Sequence, residues 1–226
     1  MSQQQSPPTY YPVFLDLRGK RVVIVGGGQI ARHKVDALLD AGAAVTVIAP
    51  QVVEMPSDVQ VIRRAFQPDD LDGAQFVIAA TDNPAVNAEV TREAEARHLF
   101  VNAVDDPAYC TAILPSVVKR GALRIAISTA GASPGLARQL REELEARYGP
   151  EYGEVVDLLW HLRQEWGAKM IALGIPATSR HAVWKQVLRL PLLDFLRSGE
   201  RRQAELLAES CIAQAVGKLT APNVEE

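Results

Sequence analysis

The stretch from residue 21 to residue 31 constrains the fold most, because it joins an apolar strand, a glycine-rich turn and a helix in that order. Arg21–Val25 is a β-branched run typical of a buried parallel strand. Gly26, Gly28 and Ala31 follow with the spacing of a dinucleotide-binding turn, in which phosphates lie at the N-terminus of the next helix. The alternative is a tight turn that binds no ligand. The cofactor-binding residues predicted here are Gly26, Gly28, Gln29 and Ile30.

Strands and helices continue to alternate up to residue 104, which favours an α/β fold with a Rossmann-type parallel sheet. Further strands are expected at residues 44–48, 59–63, 76–80 and 100–104, and a helix at about residues 84–97. The polar segment 67–73 is expected to be a solvated loop. Because open sheets of this kind bind ligands at the carboxyl ends of their strands, the loops after the strands form the candidate site.

Two of these loops supply further candidate cofactor residues. The second strand is followed by Pro50 and Gln51, without the acidic residue typical of NAD sites or the arginine typical of NADP sites. The residues alone therefore leave the choice of cofactor open. Thr81 and Asp82 follow the fourth strand. Either these two residues contact the cofactor, or Asp82 or Asn83 simply caps the next helix.

Asp105 follows the fifth predicted strand directly, at the same edge of the sheet as the glycine turn. A carboxylate at this position is suited to accept a proton while a hydride leaves for a nicotinamide ring. The alternative is structural, because an Asp followed by Pro107 is typical of a turn. Cys110 lies nearby in the sequence and is expected to be a small packing residue.

Beyond residue 104 the regular alternation of predicted strands and helices stops. A strand is expected at residues 123–128, followed by a loop of small residues and by a helix that begins at Ser133 and Pro134. The stretch from residue 116 to residue 141 has no acidic residue, so it suits a substrate that carries carboxylates; the alternative is a solvated basic face. Residues 151–216 are expected to form helices for core and dimer packing. The basic residues of the stretch are Lys119, Arg120, Arg124, Arg138 and Arg141.

Composition excludes several classes of function. A net charge of −3 gives no support for a nucleic-acid partner. The two cysteines are far apart and the four histidines lack metal-ligand spacing, so we expect neither a disulfide framework nor a metal site. No apolar run reaches the length of a membrane span, and the first residues do not resemble a signal peptide. We therefore expect a cytoplasmic protein.

The chain resembles one known family along most of residues 10–150, through five motifs that occur in the same order. This is the precorrin-2 dehydrogenase/sirohydrochlorin ferrochelatase family, the module that makes siroheme either alone or fused to a methyltransferase. Since the chain ends at Glu226, that methyltransferase domain is expected to be absent. The motifs are G-G-G-Q-I-A-R-H-K, A-A-T-D-N-P-A-V-N, V-N-A-V-D-D-P, L-P-S-V-V-K-R-G and S-T-A-G-A-S-P-G-L-A-R.

The resemblance implies a substrate, a cofactor and an assembly. The family oxidises precorrin-2 to sirohydrochlorin with NAD as hydride acceptor, and some members also insert ferrous iron. Asp105 matches the acidic residue implicated in both activities. The loop and helix that begin at Ser128 are associated with the substrate cleft and with an intertwined homodimer; Thr129 stands where fused members have serine. The predicted substrate-binding residues are Ser128, Thr129, Ser133, Lys119, Arg120 and Arg138.

The expected organisation has three parts. Residues 1–112 form an NAD-binding Rossmann domain, residues 113–148 a small dimerisation and substrate-cleft segment, and residues 149–226 a C-terminal helical domain. Two other functions remain open on the sequence. One is a Rossmann module that senses NAD(H) without catalysis, and the other is a chelatase with a vestigial nucleotide site. The basic stretch argues against the sensor, and the intact glycine turn argues against the vestigial site.

Overall fold

The computed structural model describes residues 8–104, 106 and 109–221. The chain divides into two compact units. The first contains the residues up to Leu114 together with Thr129–Ser133, and the second contains Pro115–Ser128 and the residues from Pro134 onward. The three-part division made from the sequence remains a prediction.

The first unit is built on a five-stranded parallel sheet, which confirms the predicted fold class. The strands are β1 (Arg21–Val25), β2 (Ala44–Ile48), β3 (Gln60–Ile62), β4 (Phe76–Ala79) and β5 (Phe100–Ala103). Their order across the sheet is β3-β2-β1-β4-β5, and every neighbouring pair is parallel. The helices of this unit are α1 (Gln29–Asp40) and α2 (Pro84–Ala96), and Pro68–Leu71 is a short 3-10 helix.

Apolar clusters cover both faces of the sheet. Successive side chains of a strand point to opposite faces, so β1 contributes to both clusters. In β1, Val22 and Ile24 pack in one apolar cluster that includes residues of α1. Val23 and Val25 pack in a second cluster that includes residues of α2. All four side chains are almost completely buried, which explains why this strand is apolar throughout rather than alternating.

The segment after β3 differs from the prediction of a solvated loop. It contains the 3-10 helix, and Asp70 within it is only 6% exposed. The Asp70 carboxylate accepts hydrogen bonds from the Arg64 guanidinium and from the backbone N–H of Gln67. The sequence prediction was wrong here because it counted the aspartates of this segment as solvated charges and did not consider an arginine partner.

The second unit combines a hairpin with helices. Strands β6 (Ser116–Arg120) and β7 (Leu123–Ile127) pair antiparallel, and β6 was not predicted. The buried core of the unit comes from its later helices and includes Leu158, Met170 and Trp184. The helices are α3 (Pro134–Arg147), α4 (Glu151–Ala172), α5 (Ala177–Val187), α6 (Leu192–Arg197) and α7 (Arg201–Thr220). Among the described residues, no helix is long and apolar enough to cross a membrane.

Candidate functional site

An open cavity of about 860 Å³ lies at the carboxyl edge of the sheet in the first unit. Its walls come from the segments that follow β1, β2, β4 and β5. The chain passes from β1 outward to β3 and returns to β4 on the other side of β1, so the cavity lies at the point where the strand order reverses. Open α/β sheets bind their ligands at such a point.

Every cofactor residue predicted from the sequence lines this cavity. The structure therefore brings the predicted residues together, although their contact with a cofactor remains a prediction. The predicted residues in the wall are Gly26, Gly28, Gln29, Ile30, Pro50, Gln51, Thr81 and Asp82. Sequence reasoning missed the remaining wall residues, which have no polar side chain to attract attention: Gly27, Ala49, Val52, Val53, Ala80 and Val104.

The glycine turn contains residues that are glycine for different reasons. Gly26 has a φ of +127°, and a Cβ atom there would collide with the Ala80 carbonyl group. A Cβ atom at Gly27 would collide with the Gln51 carbonyl oxygen. At Gly28 a Cβ atom would meet no protein atom within 4 Å, and its φ of −84° suits any residue. The protein itself therefore requires glycine at the first two positions, whereas the third leaves room for a ligand beside the backbone.

Helix α1 begins at Gln29, directly at the cavity. Its N-cap is Gly28, which has no side chain to accept hydrogen bonds from the first N–H groups, and its first turn carries no acidic residue. Free N–H groups and the helix dipole favour an anion at such an end. Together with the open space at Gly28, this end of α1 fits the phosphates of a dinucleotide.

The loop after β2 forms the opposite wall. The backbone N–H of Val53 donates to the Gly27 carbonyl at 2.9 Å, which ties this loop to the glycine turn. Pro50 and Gln51 are exposed at the cavity. Arg63, just after β3, donates from Nη1 to the Val52 carbonyl at 3.3 Å but does not itself line the cavity. Among the described wall residues, Asp82 has the only ionisable side chain, so no basic side chain faces the cavity from these loops.

The loop after β4 settles which residue caps α2. The Asn83 side chain accepts a hydrogen bond from the backbone N–H of Ala85 at 3.0 Å, so Asn83 is the N-cap. Asp82 is left exposed in the cavity wall. Thr81 is bonded through its backbone and its hydroxyl to the side chain of Asn87, a residue that sequence reasoning did not single out.

The predicted base, Asp105, lies outside the described residues. Val104, which precedes it in the sequence, lines the cavity. Cys110 does not line the cavity; its Sγ accepts a hydrogen bond from the Ala103 N–H at 3.2 Å, and it packs against the apolar cluster behind β5. Burial raises the pKa of the Cys110 thiol. These contacts agree with the expected packing role.

In the second unit, both predicted substrate-binding arginines contact protein groups. The Arg120 guanidinium donates to the carbonyl oxygens of Tyr148 at 2.7 Å and Glu145 at 2.9 Å, at the C-terminal end of α3. Arg138 pairs with Glu142 at 3.0 Å, one helical turn further along. The basic stretch therefore has acidic partners just beyond its end. Lys119 is exposed on β6, directly opposite Arg124 on β7.

The loop predicted to belong to the substrate cleft is closed by its own hydrogen bonds. The Thr129 hydroxyl accepts from the Ser133 N–H at 3.1 Å and lies 3.0 Å from the Ser133 carbonyl, to which it donates. Ser128 is exposed at the start of this loop. Substrate contact by Ser128, Thr129, Ser133, Lys119, Arg120 and Arg138 remains a prediction.

Most of this chain is similar to known proteins of siroheme biosynthesis. Residues 13–116 match a family model described as NAD(P)-binding, and residues 120–147 match the model of the central part of sirohaem biosynthesis proteins. The chain is 40% identical to the siroheme synthase of Pseudomonas entomophila over 209 residues, which is 90% of this chain and 44% of that protein. It is 38% identical to the siroheme synthase of Azotobacter vinelandii over 92% of this chain and 46% of that protein. Over about nine tenths of its length, the chain is similar to siroheme synthases.

A solved structure also matches most of this chain. SirC, a precorrin-2 dehydrogenase, is similar with a TM-score of 0.67 and 28% sequence identity, covering 89% of this chain and 100% of SirC. The curated siroheme synthases are longer, and the chain spans less than half the length of those it matches. The family model places an NAD(P)-binding segment on the unit that contains the cavity, and the glycine turn and the N-terminus of α1 fit such a cofactor.

Proposed function

We propose that this chain catalyses the NAD-dependent oxidation of precorrin-2 to sirohydrochlorin in siroheme biosynthesis. The observation that carries the assignment is the cavity at the sheet edge, whose walls contain all the cofactor residues expected from the sequence. The similarity to SirC along its whole length supports this substrate and reaction. The siroheme synthases that match most of this chain support the same pathway.

The residues have distinct roles in this reaction. When bound, NAD supplies a nicotinamide ring that accepts a hydride. The backbone at Gly28 and the N–H groups of Gln29 and Ile30 hold the pyrophosphate. Thr81 and Asp82 orient the half of the cofactor near β4. Asp105 takes the proton that leaves the macrocycle with the hydride. The basic residues near the hairpin, with Lys119 foremost, bind substrate carboxylates.

NAD is the favoured cofactor over NADP because no basic side chain lines the described cavity wall. A 2′-phosphate normally needs an arginine near the end of the second strand. Comparing kcat/KM for both cofactors tests this choice, and Gln51→Arg is expected to improve NADP use by about tenfold or more. Equal use of NADP by the unaltered protein would contradict the assignment and point to Arg63 as a phosphate ligand.

The central experiment is anaerobic turnover of enzymatically generated precorrin-2 with NAD, followed by absorbance. Asp105→Asn should reduce kcat by about 100-fold or more, the usual contribution of a general base, without weakening NADH binding. Asp106→Asn is the matched control at the next residue and should stay within about twofold of the unaltered protein.

Other results of the turnover assay would favour a sensor of NAD(H) or a chelatase. NADH binding without any NAD-dependent oxidation would contradict the proposed activity and favour a sensor of NAD(H). Iron insertion into sirohydrochlorin is the second activity that the family resemblance implies. Adding ferrous iron to the same assay tests it, because chelation must exceed the spontaneous rate and must fall in Asp105→Asn. Metal insertion that proceeds without any nucleotide, in a protein that does not oxidise precorrin-2, would favour a pure chelatase.

We also propose that the protein is a homodimer, as the family resemblance implies. The second unit carries exposed apolar side chains on its hairpin and on α3, including Val117 and Leu136. A contiguous patch of such side chains would be typical of a surface that is covered in an assembly. Light scattering after size exclusion should give twice the mass of the 24.6 kDa chain. A monomeric mass at assay concentration would contradict the dimer but not the activity.

A further inference from the structure

Asn87, in the first turns of α2, is bonded to every polar group of Thr81. Its Oδ1 accepts from the Thr81 backbone N–H at 3.2 Å and from the Thr81 hydroxyl at 2.7 Å. Its Nδ2 donates to the Thr81 carbonyl at 3.0 Å. One carboxamide thus binds the N–H, the C=O and the hydroxyl of a single residue, which fixes both the backbone and the side chain of Thr81.

Thr81 stands where the chain leaves β4 and forms part of the cavity wall. The adjoining Ala80–Thr81 peptide lies directly against Gly26, since the Ala80 carbonyl group occupies the place where a Gly26 Cβ would be. The loop after β4 and the glycine turn are therefore in contact. A small movement of this loop would change the shape of the cavity on both sides of that contact.

Helix capping does not account for the contacts of Asn87. The N-terminus of α2 is capped by Asn83, and Pro84 occupies its first position. Asparagine is also a weaker helix former than alanine, so helix propensity does not favour Asn87 within α2. The bonds to Thr81 are thus an additional feature of this loop, separate from the start of the helix.

We propose that Asn87 is a positioning residue of the cofactor site. It holds Thr81 and the peptide before it at the distance from Gly26 that leaves the cavity open for the nicotinamide half of the dinucleotide. In parallel sheets with this strand order, that half lies on the side of β1 occupied by β4 and β5. The role rests on the nicotinamide dinucleotide proposed above, and it acts through Thr81 without contact between Asn87 and the reacting atoms.

The test measures NADH affinity by fluorescence titration and kcat and KM by precorrin-2 turnover. Asn87→Ala should raise both the Kd for NADH and the KM for NAD by about tenfold, the effect of a misplaced binding group, while the KM for precorrin-2 stays within about twofold. Thr81→Val should raise the same two constants by a smaller factor, because it removes only the hydroxyl. Thr81→Ser keeps the hydroxyl and should bring the Kd for NADH and the KM for NAD back toward those of the unaltered protein. In the double variant the two effects should add only in part, because the hydroxyl is bonded both to Asn87 and to the backbone of Asn83.

Asn83→Ala is the matched control, since it removes another asparagine side chain from the same loop. It should lower the melting temperature by removing the cap of α2, with the Kd for NADH within about twofold of the unaltered protein. If Asn87→Ala does not fold, Asn87→Asp keeps the shape and the acceptor but loses the bond from Nδ2 to the Thr81 carbonyl, and it should still weaken NADH binding.

A purely structural role would overturn the inference. It would appear as an Asn87→Ala protein with a lower melting temperature but with an unaltered Kd for NADH and KM for NAD. This failure differs from failure of the proposed reaction. An unaltered protein that binds NADH but does not oxidise precorrin-2 would contradict the reaction, and the NADH titrations would still decide the role of Asn87.

Discussion

Gly26 and Gly28 belong to the same turn but are glycine for different reasons, and the difference can be measured. A side chain at Gly26 is excluded by the protein itself, whereas Gly28 faces open space. Sequence pattern alone treats these glycines as one motif. The structure shows that the fold requires glycine at position 26, whereas a ligand requirement for glycine at position 28 is a prediction.

The first prediction concerns Gly28→Ala. The added methyl group meets no protein atom and the backbone conformation suits alanine, so the stability of the protein should change by less than about 1 kcal/mol. The same methyl group occupies the space beside the backbone that a pyrophosphate needs, so NADH affinity should fall by about tenfold or more. Thermal melting and NADH titration of the same preparation check both parts.

Gly26→Ala is the matched variant for this comparison. Its φ of +127° and the Ala80 carbonyl both oppose a side chain, so it should lower the free energy of unfolding by about 1–3 kcal/mol. Equal loss of stability in the two variants would contradict the distinction between them.

For single residues, the sequence predicted those features that depend on neighbouring positions along the chain. The glycine spacing, Pro50 and Gln51 after β2, and Thr81 after β4 were all found in the cavity wall. The hydrogen bonds of Asn87 could not be predicted, because an asparagine inside a helix is usually a solvated side chain. The arginine partner of Asp70 was missed although it is only six positions away, since nothing in the pattern sets the direction of either side chain.

Among the elements, the short 3-10 helix after β3 is held by an ion pair. The Arg64 guanidinium lowers the pKa of the Asp70 carboxyl below its usual value, despite the opposing effect of burial. Asp70 also accepts the Gln67 N–H at 2.8 Å. The carboxylate therefore connects the segment after β3 to the start of the 3-10 helix, and its ionised form is favoured in the folded state.

The second prediction is that Asp70→Asn lowers the free energy of unfolding by about 1–2 kcal/mol near neutral pH, at the low end for a charged hydrogen bond because Arg64 is partly exposed. Since the pKa of Asp70 is lower in the folded protein, its stabilisation is complete above the unfolded-state pKa of about 4. It is lost as the pH falls through the folded-state value. Urea unfolding of both proteins should show a constant difference from about pH 5 to 8 that shrinks below about pH 4; a difference that grows on acidification would contradict this.

Arg120 links the hairpin to the C-terminal end of α3. Its guanidinium donates to carbonyl oxygens that have no partner within that helix, and its positive charge suits the negative end of the helix dipole. The sequence did not predict that Arg120 stabilises the end of α3, because it identified this residue only as one of several in a basic stretch.

The third prediction separates Arg120 from its neighbour on β6. Arg120→Gln should lower the free energy of unfolding by about 1–2 kcal/mol, because the bonds to the end of α3 are lost. Lys119→Gln, one residue earlier and exposed, should have a smaller effect on stability and should instead raise the KM for precorrin-2. Chemical unfolding and steady-state kinetics check the two variants. An opposite pattern would assign substrate binding to Arg120.

The elements differ in how well the sequence predicted them. The bounds of β1 and β2 were predicted without error, since both are buried parallel strands with runs of β-branched residues. Strand β6 and helix α6 were missed. Strand β6 has a single buried valine in five residues, and helix α6 is only six residues long, so neither spans enough positions to show a period.

At the scale of the whole molecule, the predicted binding residues are divided between two compact units. The cavity lined by the predicted cofactor residues belongs entirely to the first unit, here called the sheet unit. Four of the six predicted substrate-binding residues belong to the second, here called the helical unit, and the other two, Thr129 and Ser133, belong to the sheet unit. A ligand that binds only the folded form stabilises the part of the protein that it contacts.

The fourth prediction follows from this division. NADH at about 100 times its Kd should slow amide hydrogen exchange in the sheet unit, by up to the equivalent of about 2.7 kcal/mol, and most clearly at the N-terminus of α1. Peptides covering residues 26–32 and 80–88 should show it in exchange followed by mass spectrometry. Protection confined to α4–α7 would contradict a cofactor site in the sheet unit.

All three tryptophans of the chain lie in the helical unit: Trp160 and Trp166 on α4 and Trp184 on α5. The sheet unit contains none, so the molecule has an intrinsic optical donor in one unit and a site for an acceptor in the other. NADH absorbs light at the wavelengths that tryptophan emits. Resonance energy transfer from these tryptophans to a bound dinucleotide would therefore report cofactor binding without any attached dye.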